Sequence, residues 1–206
     1  FRKSEGNKWF LRNLKKLEEN SIEISLLCNW LMPFQNDINN ILEIGSGAGN
    51  KLAQLCWQLN ALGQGVDPSK TAVDFANKKY NQKCSYTVAT ADDLSFLNNK
   101  FDLIYFGFCL YLVSRNKIND VIKQADQLLK SGKFLSIIDF DPHNSYENEY
   151  SHFKGLKSYK ENYYKMFCDL GNYSVVNKFS YSEKSFCFSK NENDRISLVL
   201  LFKENK

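Results

Sequence analysis

The run Glu43-Ile-Gly45-Ser-Gly47-Ala-Gly49 constrains this chain more than any other feature. It follows the apolar pair Ile41-Leu42 and precedes a helical pattern from Asn50 to Leu59. Glycines at every second position let the backbone turn sharply from strand to helix and bring N–H groups close to a ligand. A dinucleotide site asks for G-x-G-x-x-G. Here the place of its third glycine is held by Asn50.

The rest of the chain alternates. Short apolar strands are expected at Ile41–Ile44, Gly63–Val66, Ser85–Val88, Phe101–Phe106 and Lys133–Ile138. Helices are expected at Asn50–Leu59, Ser69–Tyr80 and Asn116–Lys130, the last carrying Ile118, Val121, Ile122, Ala125 and Leu129 on one stripe. Gly132 reads as the stop of that helix. Continuous apolar strands between amphipathic helices argue a parallel sheet covered on both faces. Two further helices are expected before Pro33, with Trp9, Phe10, Leu14 and Leu17 on the first and Ile22, Leu26, Leu27 and Trp30 on the second. Residues 141–160 show no period and read as an ordered insertion, followed by a helix near Lys160–Leu170. Strands near Tyr173–Tyr181 and Arg195–Lys203 close the chain.

With 206 residues, one domain suffices, and no internal boundary is placed. The formal charge of +4 is too small to demand a nucleic-acid partner. Six scattered cysteines without a C-x-x-C pair, and only two histidines, argue against a zinc cluster and for a reducing compartment. No apolar span reaches membrane length and no signal peptide is legible, so the expected location is cytoplasmic. The chain opens on Phe1 rather than Met and is expected to lack its true N-terminus. Oligomeric state is not legible.

In an open α/β sheet, ligands sit beyond the carboxyl ends of the strands. Four loops leave such ends. The first is the glycine loop. The second is Gly65-Val66-Asp67-Pro68-Ser69, whose carboxylate can accept from both hydroxyls of a ribose, with Ser69 capping the next helix. The third is Ala89-Thr90-Ala91-Asp92-Asp93-Leu94-Ser95-Phe96, in which Asp93 reads as an exposed helix-start residue. The fourth is Phe101-Asp102-Leu103-Ile104-Tyr105-Phe106 running into Gly107-Phe108-Cys109-Leu110-Tyr111.

Taken in this order and spacing, the four loops resemble class I S-adenosylmethionine (SAM)-dependent methyltransferases over about residues 38–140. The resemblance implies a Rossmann-like α/β fold with a seven-stranded, mostly parallel sheet, helices on both faces, and an antiparallel hairpin at one edge. It implies SAM as cofactor, held by Glu43, Gly45, Ser46, Gly47, Gly49, Asp67, Pro68, Ala91, Asp92 and Phe108. One position departs from the pattern: where relatives carry the Asp that takes the adenine amino group, this chain has Thr90. Base recognition then falls to backbone groups of Ala91 and Asp92 or to the Asp92 side chain.

More loosely, the chain is similar to bacterial small-molecule methyltransferases found with surface-polysaccharide biosynthesis. The stretches Trp9–Asn13, Cys109–Arg115, Ile138–Pro142, Tyr150–His152 and Ser158–Lys160 carry that likeness. It implies a sugar nucleotide or related carbohydrate metabolite as acceptor, lid helices within 1–37, and a substrate-side insertion at 141–160.

Methyl transfer needs alignment above all, and a hydroxyl acceptor gains from a general base. The candidates are His152 as base, Asp139 as its orienter or an acceptor ligand, and Tyr111 beside the reacting groups. Asp141, His143 and Lys160 belong to the same region, and Trp9, Phe10 and Arg12 could close over the site. No metal is expected. The alternatives are an RNA or protein methyltransferase, opposed by the lack of N/D-P-P-Y after the fourth strand, and a non-catalytic SAM-binding partner protein.

Overall fold

The computed structural model describes residues 5–17 and 21–205, apart from the Lys16 side chain. The sequence expectations on residues 1–4, 18–20 and 206 fall outside them. The strands are β1 (Asn40–Ile44), β2 (Leu62–Asp67), β3 (Cys84–Val88), β4 (Phe101–Gly107), β5 (Leu129–Phe140), β6 (Tyr146–Glu149), β7 (Lys157–Lys160), β8 (Tyr173–Ser182) and β9 (Arg195–Lys203). The helices are α1 (Glu5–Leu17), α2 (Ile22–Leu31), α3 (Asn50–Gln58), α4 (Lys70–Lys79), α5 (Ile118–Leu128) and α6 (Tyr163–Cys168).

Seven strands form one sheet in the order β3-β2-β1-β4-β5-β9-β8. The first five run parallel, and β9 is antiparallel to both neighbours. The order reverses between β1 and β4, which leaves a crevice at their carboxyl ends.

Alternation along the strands divides the interior in two. Ile41, Leu103, Tyr105, Leu198 and Leu200 point to one core, shared with α2, α3 and α4. Leu42, Ile104, Phe106, Val199 and Leu201 point to the other, shared with α5 and α6. The expected fold of a mostly parallel seven-stranded sheet between helical layers is what forms.

Three local expectations are corrected. Helix α5 ends at Leu128, and β5 begins at Leu129, earlier than the pattern suggests. Gly132 is therefore no helix stop. It lies inside β5 at φ +70°, where the pairing with β4 shifts between Phe101 and Leu103. A bulge needs the same left-handed backbone as a helix stop, so glycine serves either. Residues 141–160, read as an ordered insertion with no strand assigned, contain the antiparallel hairpin β6–β7. β6 is largely exposed and β7 is mostly half-buried, so neither carries the alternation of a strand with one buried face.

Only α1 of the two N-terminal helices reaches the crevice. Ile24, Leu27, Cys28 and Leu31 of α2 are buried in the first core. Phe10 of α1 sits in a small separate cluster with Ala48 and Ala72, its ring centroid 5.6 Å from that of Phe75.

Candidate active site

A cavity of about 380 Å³ opens at the carboxyl ends of β1, β2 and β4. Its floor begins with the glycine loop. Gly45 N and Ser46 N both donate to Val66 O, at 2.9 and 3.0 Å, tying the loop to β2. Gly45 lines the cavity at φ +81°, and a Cβ there would stand 2.6 Å from Cys109 Cβ, so a side chain is excluded twice over. Gly49 has a different task. At φ +80° it caps α3, and its Cβ would stand 2.7 Å from the Tyr86 ring. It packs helix against strand and does not face the cavity. Gly47 also lies off the wall, beneath Trp9.

Behind this loop two buried side-chain oxygens have no hydrogen-bond partner. Glu43 and Ser46 are buried, and neither Glu43 Oε2 nor Ser46 Oγ finds a hydrogen bond. Burial holds the Glu43 carboxyl well above its usual range, with Lys51 pulling the other way. Gly107 gives it room, since a Cβ there would meet Glu43 Oε1 at 2.8 Å.

Asp67 ends β2 on the cavity wall, next to Pro68. Its Oδ2 accepts from Gly47 N at 2.9 Å and its Oδ1 from Ser69 N at 2.8 Å. Burial raises its carboxyl and these two N–H groups oppose the rise. Ser69 accepts from Ala72 N at 3.1 Å, capping α4, and donates to Asn7 Oδ1 of α1 at 2.7 Å. The roof is thereby tied to the loop that carries Asp67.

Ala89, Thr90, Ala91 and Asp92 form the far wall, while Asp93 is exposed as expected but starts no helix, since the loop to β4 holds turns only. Gln124 of α5 bonds to two peptide groups of this loop, a contact no sequence signal announces.

Phe108 and Tyr111 line the near wall after β4. Phe108 takes φ +59°. Its ring, that of Tyr111 and that of Phe140 stack in a triangle with centroids 5.1–5.3 Å apart. Burial raises the pKa of the Tyr111 phenol, and the neighbouring Trp9 indole opposes the rise slightly.

The other two catalytic candidates stand elsewhere. Asp139 is buried behind the wall, where Oδ2 accepts from Tyr111 N at 3.3 Å and Oδ1 from Phe140 N at 2.8 Å. Burial pushes its carboxyl up to about 7, with the N–H groups of Phe140, Tyr111 and Leu110 opposing. It supports the loop that carries Tyr111. His152 is exposed on the turn of the hairpin, edge-on to Tyr150 at 5.5 Å, and is not part of the cavity wall. Its expected place at the reacting groups is corrected: the turn carries the imidazole outward and sends Leu156 to the cavity instead. Asp141 is bound to Lys178 at 2.7 Å and Ser180 at 2.6 Å, a knot between β5 and β8. Lys160 lies over the Phe140 ring at 4.0 Å.

Trp9, Leu112, Val113 and Leu156 add apolar side chains to the cavity wall. Lys117 is the one basic side chain on the wall among the described residues, exposed and 3.3 Å from Asp120.

Residues 41–132 match the family described as a methyltransferase domain. The ubiquinone/menaquinone biosynthesis C-methyltransferase UbiE of Rickettsia typhi is 30% identical over 119 residues, which cover 52% of this chain and 47% of that protein. UbiE of Rickettsia felis is 28% identical over 162 residues, covering 71% of this chain and 58% of that protein. The chain spans about half the length of these curated relatives. Among solved structures, the N-methyltransferase NodS from Bradyrhizobium japonicum WM9, in complex with S-adenosyl-L-homocysteine (SAH), superposes with a TM-score of 0.69 at 16% identity, over 97% of this chain and 99% of that one. The 1,6-didemethyltoxoflavin-N1-methyltransferase of Burkholderia thailandensis gives a TM-score of 0.70 at 11% identity, over 97% and 87%. At such identities the agreement is one of fold.

Proposed function

We propose that this chain, a class I SAM-dependent methyltransferase by its fold and by the family its residues 41–132 match, methylates a small acceptor that presents an apolar ring. The carrying observation is the lining of the cavity, which combines the acidic residues Asp67 and Asp92 with the apolar side chains of Trp9, Leu112, Val113 and Leu156.

The glycine-loop side of the cavity suits the cofactor. Gly45 keeps the approach bare, and the unanswered Glu43 Oε2 and Ser46 Oγ behind the loop support a role in holding an amino-acid tail. Asp67 offers an acceptor-only group to a ribose. Ala91 and Asp92 line the cavity on the loop after β3, which supports a role at the base. Bound SAM supplies an electrophilic methyl group on a sulfonium. The aromatic faces of Phe108 and Tyr111 suit a cation at that point. The Asp139 carboxylate holds the 110–111 peptides and so fixes Tyr111. Alignment of this kind can supply roughly 7–11 kcal/mol of a barrier.

The looser resemblance to polysaccharide-cluster methyltransferases implies a sugar nucleotide or related metabolite as acceptor. The diphosphate of a sugar nucleotide would need cations, and among the described residues the wall offers only Lys117. The described wall also carries no histidine. An acceptor whose own ring makes the reacting atom nucleophilic suits such a site. The names of the relatives agree with a ring: one class acts in quinone biosynthesis, and one structural neighbour is named for 1,6-didemethyltoxoflavin.

Calorimetry with SAH and a radiolabelled transfer assay test the reading. Wild type should bind SAH, and Asp67→Ala should weaken binding about 10- to 100-fold through the loss of charge-assisted hydrogen bonds. Label should pass to phenolic or heteroaromatic metabolites in preference to sugar nucleotides. No SAH binding, with Asp67→Ala indistinguishable from wild type, would defeat the cofactor assignment. Transfer to sugar nucleotides or RNA alone would defeat the acceptor assignment.

A further inference from the structure

The loop after β3 has no regular structure, yet it forms the far wall of the cavity. One side chain holds two of its peptide groups. Gln124 of α5 donates from Nε2 to Asp92 O at 2.8 Å and accepts at Oε1 from Leu94 N at 2.7 Å. The same Nε2 lies 3.5 Å from Asp120 O, one helical turn back. A primary amide offers a donor and an acceptor in one plane, as a peptide group does. Gln124 thus pairs the loop to α5 much as one strand pairs to the next. The buried Leu94 plugs the loop into the second core, while Gln124 itself is absent from the cavity wall.

We propose that Gln124 is the positioning residue for base recognition, fixing the Asp92 peptide so that the Asp92 carboxylate reads the exocyclic amino group of the cofactor's purine. The proposal rests on the SAM reading above. Among the described residues two acidic residues line the cavity, Asp67 and Asp92, and Asp67 is held at the end of β2 by Gly47 N and Ser69 N. Asp92 is the one on the far loop. An ionised carboxylate only accepts hydrogen bonds, so it matches an amino group and opposes a 6-oxo group. The hydroxyl of Thr90 both donates and accepts and cannot tell the two apart. A site built to pair with a particular group rejects the analogue lacking it, because a buried partner is left unpaired. That rejection requires the carboxylate to be held in place. Without the clamp, Leu94 still anchors the loop, but the peptide two residues earlier is free to turn. Discrimination should then fall more than stability does.

The test titrates SAH and S-inosylhomocysteine, its 6-oxo analogue, into wild type, Gln124→Leu, Gln124→Glu and Asp92→Asn, with the melting temperature of each protein taken without ligand. Gln124→Glu keeps the acceptor for Leu94 N but sets an oxygen against Asp92 O. Wild type should prefer SAH by about tenfold or more, and Asp92→Asn should bring that ratio close to one. Both Gln124 variants should lower the ratio about fivefold or more, with Gln124→Glu melting close to wild type. A ratio unmoved in the Gln124 variants, or unmoved in Asp92→Asn, overturns the proposal alone. Wild type that fails to bind SAH overturns the SAM reading and this proposal with it. Where Gln124→Leu does not fold, Gln124→Glu and Asp92→Asn decide.

Discussion

Asp139 shows how far a residue's chemistry can be read without its surroundings. Its place at the end of an apolar strand marks it as a site residue. The fold turns its carboxylate away from the cavity, onto the N–H groups of Tyr111 and Phe140. Burial brings its pKa to about 7, against about 3.9 for a free side chain. Below about pH 4 the group is protonated in both folded and unfolded chains. Between there and 7 the native state keeps a proton that the unfolded chain releases, so this stabilisation is present at low pH and lost as pH rises. Relative to wild type, Asp139→Asn should therefore gain stability between pH 4.5 and 7.5, on the order of 3 kcal/mol. Denaturant unfolding of both proteins at the two pH values measures it, and a difference that does not move with pH would contradict the assignment. His152 teaches the complementary lesson. Imidazole chemistry made it the natural base, but nothing local says which side of a turn its ring takes.

At the scale of elements, the junction of α1 and α4 is the most informative. Ser69 caps α4 and also donates to Asn7, so one hydroxyl serves a helix start and the attachment of the roof. Ser69→Ala should cost about 1–2 kcal/mol through the lost cap. It should also speed amide hydrogen exchange in α1 while leaving the central strands unchanged, a pattern readable by mass spectrometry. Exchange rising equally in β1 and β4 would place the loss in the global fold instead. The cap itself is legible in sequence as Ser69 before a helical pattern, whereas its partner Asn7 lies 62 residues away. Gly132 was misread for a related reason. Its left-handed backbone suits a helix end and a strand bulge equally, and only the pairing of β5 with β4 decides between them.

Across the whole molecule, the cavity is assembled from four strand ends and roofed by α1 and the turn of the β6–β7 hairpin. Among the described residues no helix is long and apolar enough to cross a membrane. A ligand that bridges so many elements should couple to global stability. At a concentration one hundred times its Kd, SAH should stabilise the native state by about 2.7 kcal/mol. For a chain of this length that is a rise in Tm of roughly 5–10 °C, readable by differential scanning fluorimetry. No shift at saturating SAH would mean that the cavity does not take the nucleoside.

Sequence by itself determined the doubly covered parallel sheet, the glycine turn after β1 and Asp67 at the end of β2. Those features rest on local necessities: period of apolar residues, backbone freedom at Gly45, and the reach of a carboxylate from a strand end. Tertiary structure alone decided that Gly49 serves packing, that Asp139 supports a loop, that Leu156 and not His152 meets the cavity, and that Gln124 clamps the far wall. Each of these depends on a partner distant along the chain. The energy of such contacts comes from burial and pairing that exist only after the sheet has brought the partners together.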